Sequence, residues 1–111
     1  MNINQMLDEK SFLINFEATS KKQMLNELCK LANKKFNLDE RTLLENLTKR
    51  EKLGSTAVGN GIAIPHANIS GISEPRLLVA TLSEGLDFNA ADDQPIDIVF
   101  LLLAPDNEGS E

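Results

Sequence analysis

The sequence of 111 residues has one cysteine, one histidine, and no tryptophan or tyrosine. Cys29 falls among apolar residues at helical spacing, which predicts a core position and no redox or metal role. A tetrahedral zinc site is excluded because one His and one Cys cannot complete it. The few aromatic residues argue against a base-stacking surface, and a net charge of -6 would repel nucleic acid. Nucleic acid is therefore not an expected partner.

Long apolar runs are also missing. No stretch approaches the ~18 apolar residues of a membrane span, and the N-terminus has no basic segment followed by an apolar one. We therefore expect a cytoplasmic protein without membrane insertion. The length predicts a single domain, 1–111. The negative net charge predicts an acidic docking face that attracts a small basic protein partner.

The spacing of apolar residues predicts an alternation of strands and helices. Apolar residues recur at intervals of three and four after the caps offered by Thr19 and Ser20, and again after Asp39, with Gly54 as a helix stop. The pair Asn60-Gly61 predicts a tight hairpin turn. The predicted elements are strands at 12–16, 62–64, 77–82 and 96–104 and helices at 21–36 and 40–52, with connecting loops at 54–61, 68–75 and 85–95.

The apolar run that is unbroken from Ile98 predicts a strand buried on both faces, so that helices must cover both sides of the sheet. The fold class is α/β, as a sandwich. The segment from Pro105 to Glu111 resembles the approach to another helix, with Pro and acids suited to a first turn. We therefore expect the domain to be truncated, lacking its C-terminal helical part and leaving an apolar patch exposed.

Two charged residues interrupt the apolar stripe of the second helix. Arg50 and Glu51 both fall within about a right angle of the centre of the stripe, so they lean toward the interior and need partners or a task. Further along, Pro65 holds Ile64 extended, which places His66 at a stiff strand terminus facing the glycine-rich loop. These residues converge on one candidate site.

This group of residues suits phosphoryl transfer through histidine. Such a reaction needs a neutral imidazole nitrogen as acceptor, a second nitrogen held by a hydrogen bond, and donors for the phosphoryl oxygens. His66 is the predicted acceptor and Arg50 the predicted cation at the phosphate. The predicted phosphate-loop donors are Ser55, Thr56, Gly59, Asn60 and Gly61. The chemistry requires no metal and no cofactor.

Each feature also has a simpler interpretation. A lone histidine can be an ordinary residue, the glycines can serve turns only, and Arg50 with Glu51 can form a helix-end ion pair. A hydrolase based on a Ser55–His66 pair is a further alternative, but no acid is placed to orient the imidazole. Irregular spacing identifies the remaining acids as solvated connectors and not metal ligands. Those acids are Asp87, Asp92, Asp93 and Asp97.

The block from Arg50 to His66, Arg-Glu-Lys-Leu-Gly-Ser-Thr-Ala-Val-Gly-Asn-Gly-Ile-Ala-Ile-Pro-His, closely resembles the active-site block of fructose/mannitol-type enzyme IIA domains of the phosphotransferase system. The resemblance continues through residues 87–90 and 94–105, and it is strongest to the nitrogen-regulatory branch. It implies an α/β/α three-layer sandwich with a mixed sheet. Domains of this type continue beyond the point where this chain ends, with helices that complete the fold.

The resemblance also implies a function. His66 would take a phosphoryl group from an HPr-like phosphocarrier protein, with Arg50 assisting at the phosphate. Onward partners would be a IIB domain in sugar uptake, or regulatory proteins in nitrogen regulation. An alternative is a phosphorylation-dependent regulatory binding module without onward phosphotransfer.

Overall fold

The computed structural model describes Leu7 and residues 11–106. Their element order is strand, two helices, then five strands. The helices are α1 (Lys21–Phe36) and α2 (Glu40–Leu53), and the strands are β1 (Phe12–Phe16), β2 (Ala57–Gly59), β3 (Ile62–Ala63), β4 (His66–Ile69), β5 (Arg76–Leu86) and β6 (Ile96–Pro105).

Both helices begin and end where local chemistry predicts. The Ser20 hydroxyl accepts the Gln23 N–H at 3.0 Å, and an Asp39 carboxylate oxygen accepts the Thr42 N–H at 2.8 Å. These side chains satisfy backbone donors that have no partner inside a helix. The Gly54 N–H closes α2 on the Glu51 carbonyl at 3.2 Å. The predicted caps Ser20 and Asp39 and the predicted stop at Gly54 are confirmed, whereas Thr19 is not a cap.

The strands form one mixed sheet in the order β1-β5-β6-β3-β2, and β4 also pairs with β6. β5 and β6 are antiparallel, whereas β1 is parallel to β5 and both β3 and β4 are parallel to β6. β3 and β4 therefore follow one another along the same edge of β6. The Leu102 N–H donates to the Pro65 carbonyl at 3.0 Å between them, which ties that connection to β6.

Both helices pack on the same face of the sheet. Leu28 of α1 and Leu47 of α2 belong to one buried cluster with Leu78, Ala80 and Val99, residues whose alternate positions point to one side of β5 and β6. The predicted α/β sandwich with a mixed sheet is confirmed. Residues 11–106 form the sheet and one helical layer. The second helical layer of the predicted three-layer sandwich is not formed by the residues that the structure describes. The predicted approach to a further helix lies largely in 107–111, outside the described residues.

β1, at one edge of the sheet, carries exposed apolar side chains. Phe12 and Ile14 are 41% and 62% exposed. Leu13 packs against the core, and Phe12 lines a cavity with Leu31 and Lys34 of α1. The apolar patch expected on an uncovered face of the sheet stays a prediction.

Apart from one-residue shifts in bounds, the strands differ from the prediction in three places. β2 lies inside the segment 54–61, predicted as loop, because the chain on both sides of the Asn60-Gly61 turn pairs as an antiparallel hairpin. β5 extends to Leu86, four residues past the predicted end, because Leu86 still pairs with Ile96 across an irregularity. Residues 68 and 69, predicted as loop, belong to β4, because the edge of β6 is available to the chain after Pro65. Intrinsic strand propensity does not predict a strand that forms only because the edge of a neighbouring strand is free to pair with it.

Cys29 is fully buried in α1, and this burial, with the Glu40 carboxylate nearby, raises the pKa of its thiol to about 12. The thiolate is the reactive species. We expect Cys29 to react with a thiol reagent such as Ellman's reagent only in denaturant, with no measurable labelling of the folded protein at pH 8. Rapid stoichiometric labelling without denaturant would contradict this packing of α1.

Candidate functional site

His66 opens β4 at the edge of the sheet, with its side chain exposed. Its Nδ1 lies 2.9 Å from the Ile64 carbonyl oxygen. A carbonyl can only accept a hydrogen bond, so Nδ1 carries the proton and Nε2 keeps a lone pair. The imidazole is therefore held as the tautomer that presents Nε2 as a nucleophile.

Arg50 approaches His66 from the last turn of α2. Its Nη1 donates to the Gly54 carbonyl at 2.9 Å, and its Nε lies 3.4 Å from His66 Nε2, to which it donates. The structure thus brings together the two residues that the sequence analysis paired. The guanidinium lies beside the nitrogen that carries the lone pair.

Glu51 does not form the helix-end ion pair with Arg50 that the simpler interpretation proposes. Its side chain is only 6% exposed and pairs with Lys21 of α1, Nζ to Oε2, at 2.9 Å. Its other carboxylate oxygen accepts the Thr56 hydroxyl. The two adjacent charges of α2 therefore have separate partners, one toward the interior and one toward His66.

The hydroxyls of Ser55 and Thr56 hold the loop instead of facing His66. Ser55 donates to the Phe88 carbonyl and accepts the Ala57 N–H at 3.1 Å, while the Thr56 hydroxyl donates to Glu51. The predicted use of these hydroxyls as phosphate donors therefore meets a competing structural bond in each case. The Ser55–His66 pair that a hydrolase would need is not formed.

The glycine hairpin lies away from His66. Asn60 and Gly61 have φ of 56° and 81°, as a tight two-residue turn requires. The Gly61 carbonyl accepts N–H groups of β6 at Asp97 and Ile98, whereas His66 pairs with Leu102. Four residues of strand separate Ile98 from Leu102, a distance of ~13 Å. The expectation that His66 faces the whole glycine-rich loop is corrected: the structure does not bring Gly59, Asn60 and Gly61 to the imidazole.

The acids after β5 serve the turns. Asp87 accepts the Asn89 N–H at 2.8 Å, and Asp92 accepts N–H groups of Gln94 and Asn60, both at 3.1 Å. These backbone donors hold the pKa of Asp92 below its usual value. Among the described residues no cluster of three His, Cys, Asp or Glu side chains could hold a metal ion.

A cleft of about 640 Å³ surrounds His66 and Arg50. Besides His66, its lining includes three cations, Lys49, Arg50 and Lys52. Beside them Leu53 is 85% exposed. The net charge of -6 predicts an acidic docking face, but this cleft is basic. Composition could not predict this, because it does not show on which face each charge lies. The sequence signal for this basic cleft is the run Lys-Arg-Glu-Lys at residues 49–52, near the end of α2.

Within residues 11–106, no helix is both long and apolar enough to span a membrane. The finding concerns α1 and α2, whose polar faces interrupt any apolar run.

The chain shares sequence and fold with known proteins. Residues 5–110 match the family described as "Phosphoenolpyruvate-dependent sugar phosphotransferase system, EIIA 2". A nitrogen regulatory protein of Pseudomonas aeruginosa is 41% identical over 96% of this chain and 70% of its own length. The crystal structure of nitrogen regulatory protein IIA-Ntr from Neisseria meningitidis superposes with a TM-score of 0.88 at 33% identity, covering 95% of this chain and 72% of that one.

Escherichia coli mannitol enzyme IIA, solved in complex with phosphorylated enzyme IIB, shares the fold. It superposes with a TM-score of 0.77 at 20% identity, over 92% of this chain and 72% of that one.

The tautomer of His66 is directly measurable. Because Nδ1 donates to the Ile64 carbonyl, we expect long-range ¹H–¹⁵N spectra at pH 8.5 to show a protonated Nδ1 and an unprotonated Nε2. The single histidine of the chain makes the assignment unambiguous. A spectrum dominated by protonated Nε2 would contradict the geometry of the site.

Proposed function

Because this chain belongs to the EIIA 2 family of the phosphoenolpyruvate-dependent sugar phosphotransferase system, we propose that it is a phosphoryl carrier whose His66 accepts the group on Nε2. The donor is an HPr-like phosphocarrier protein bearing phosphohistidine. The observation that carries the proposal is the imidazole held with its Nε2 lone pair beside the Arg50 guanidinium. Such an arrangement suits a reaction in which positioning and charge stabilisation supply the catalysis.

The transfer exchanges one N–P bond for another. The Nε2 lone pair attacks phosphorus while the donor imidazole leaves with the electron pair of its own N–P bond. The proton stays on Nδ1, and its hydrogen bond to the Ile64 carbonyl stabilises the positive charge that develops on the ring. Arg50 then donates to phosphoryl oxygens instead of to Nε2, because the lone pair has been consumed.

The proposed setting is the cytoplasm, where the protein acts in nitrogen or metabolic regulation or in sugar uptake. The likeness to proteins named nitrogen regulatory protein favours the regulatory role, in which the phosphorylation state is read by target proteins. The likeness in fold to a IIA that forms a complex with phosphorylated IIB keeps a IIB domain as the onward partner for sugar uptake. A regulatory binding module without onward transfer remains the alternative function.

Incubation of the protein with phosphoenolpyruvate, enzyme I and HPr should give an acid-labile, alkali-stable phosphoprotein, because phosphohistidine has those stabilities. The label should map to His66, the sole histidine. His66→Ala should abolish it.

Ser55→Ala provides the matched control. The Ser55 hydroxyl bonds to the Phe88 carbonyl, so this variant should retain the label with the same acid lability. Label that persists in His66→Ala would refute the carrier function, and label lost only from Ser55→Ala would point to a serine acceptor.

The basic cleft predicts how the donor approaches. Lys49 and Lys52 are not ion-paired within the described part of the chain, so they are available to a phosphoryl dianion and to carboxylates around it. Lys49→Glu/Lys52→Glu should lower the second-order rate of phosphorylation ~10-fold at low ionic strength and weaken its salt dependence.

Lys34→Glu/Lys35→Glu reverses the same number of charges near the end of α1, outside the cleft. At ~0.15 M ionic strength it should leave the rate within about twofold of wild type, because exposed charges more than a Debye length of ~8 Å apart are largely screened. Equal losses in the two double variants at that ionic strength would show that only net charge matters.

A further inference from the structure

Glu51 is a carboxylate enclosed by three segments of the chain. Its side chain is 6% exposed, and both oxygens are occupied, one by Lys21 at 2.9 Å and one by the Thr56 hydroxyl. Thr56 itself is 4% exposed. A buried carboxylate is tolerated when its charge is paired and its lone pairs are bonded. Glu51 therefore ties the start of α1 and the end of α2 to the loop at Thr56.

From Thr56 one path of hydrogen bonds leads to His66 Nδ1. The Thr56 carbonyl accepts the Ile64 N–H at 2.9 Å. The Ile64 carbonyl in turn accepts the proton of His66 Nδ1 at 2.9 Å. The backbone of Ile64 thus passes the position of Thr56 on to the nitrogen that sets the tautomer.

From the same loop a second path leads to His66 Nε2. The Gly54 carbonyl accepts Arg50 Nη1 at 2.9 Å, and Arg50 Nε lies 3.4 Å from Nε2. Gly54 lies two residues before Thr56, and its N–H bonds to the Glu51 carbonyl at 3.2 Å. Both nitrogens of His66 are therefore held through residues 54–56, the segment that Glu51 anchors.

We propose that Glu51 is a positioning residue for His66: with Lys21 as its counter-charge, it holds Thr56 so that the Ile64 carbonyl selects the Nδ1–H tautomer and the Gly54 carbonyl aims Arg50 at Nε2. Glu51 touches neither the imidazole nor a phosphoryl group. The consequence for phosphoryl transfer rests on the proposed function, whereas the effect on the tautomer does not.

Thr56→Val tests this with little change in shape, since it replaces the hydroxyl by a methyl group. The Nδ1–H tautomer of His66 should lose its dominance in ¹H–¹⁵N spectra. The maximal rate of phosphorylation by phosphorylated HPr should fall ~10–100-fold, as is typical when a group that orients a reacting side chain is removed. The HPr concentration at half-maximal rate should stay within about twofold, because the cleft surface is unchanged.

Thr56→Ser keeps the hydroxyl and should restore both the tautomer and the rate. Leu82→Ala, a buried change on β5, serves as the control for a general loss of stability and should leave the tautomer as in wild type. Glu51→Gln supplies a second variant if Thr56→Val does not fold. It keeps the shape of Glu51 and removes the charge that holds Lys21, and it should shift the same two measurements.

The outcomes separate the two proposals. A wild-type tautomer and rate in Thr56→Val, or in Glu51→Gln where that variant is needed, would overturn the role of Glu51. Equal changes in Leu82→Ala would overturn it as well. If the wild-type protein is not phosphorylated at all, the carrier function fails and the tautomer measurement alone decides the role of Glu51.

Discussion

A carboxylate removed from water must have its charge paired and its lone pairs bonded, and the site depends on how this chain meets that constraint at Glu51. Removing a partner from such a carboxylate is destabilising, because the charge is then left uncompensated away from water. Lys21 and Thr56 are the partners here. Since they belong to α1 and to the loop after α2, the same bonds that satisfy the charge also fix where that loop runs.

The position of that loop gives the imidazole its chemical character. A free histidine exchanges between two neutral tautomers, and only a bonded neighbour selects one. In this protein the neighbour is a backbone carbonyl, that of Ile64, which can accept but never donate. Because Ile64 is also bonded through its N–H to the Thr56 carbonyl, the selection of the tautomer depends on where Thr56 is held beside this strand.

Charge is distributed unevenly over the molecule, and the cations near His66 matter more at the site than the net charge does. The net charge of -6 acts on a partner at long range, but at physiological ionic strength the field of exposed charges decays over ~8 Å. Inside the cleft the cations Lys49, Arg50 and Lys52 line the same space as His66. An anionic group that enters the cleft therefore meets a positive surface on a negative protein.

Periodicity, capping residues and one long local block were enough to predict the helices and their caps, the mixed α/β class, the family and the pairing of Arg50 with His66. The sequence could be interpreted that far because these features are local. It could not place Gly59, Asn60 and Gly61, which are close to His66 along the chain but ~13 Å away along β6. Nor could it assign Ser55, Thr56 and Glu51 to their partners, since Phe88 and Lys21 are remote in sequence. Those contacts follow from strand register and from the packing of α1 beside α2, which no local pattern encodes.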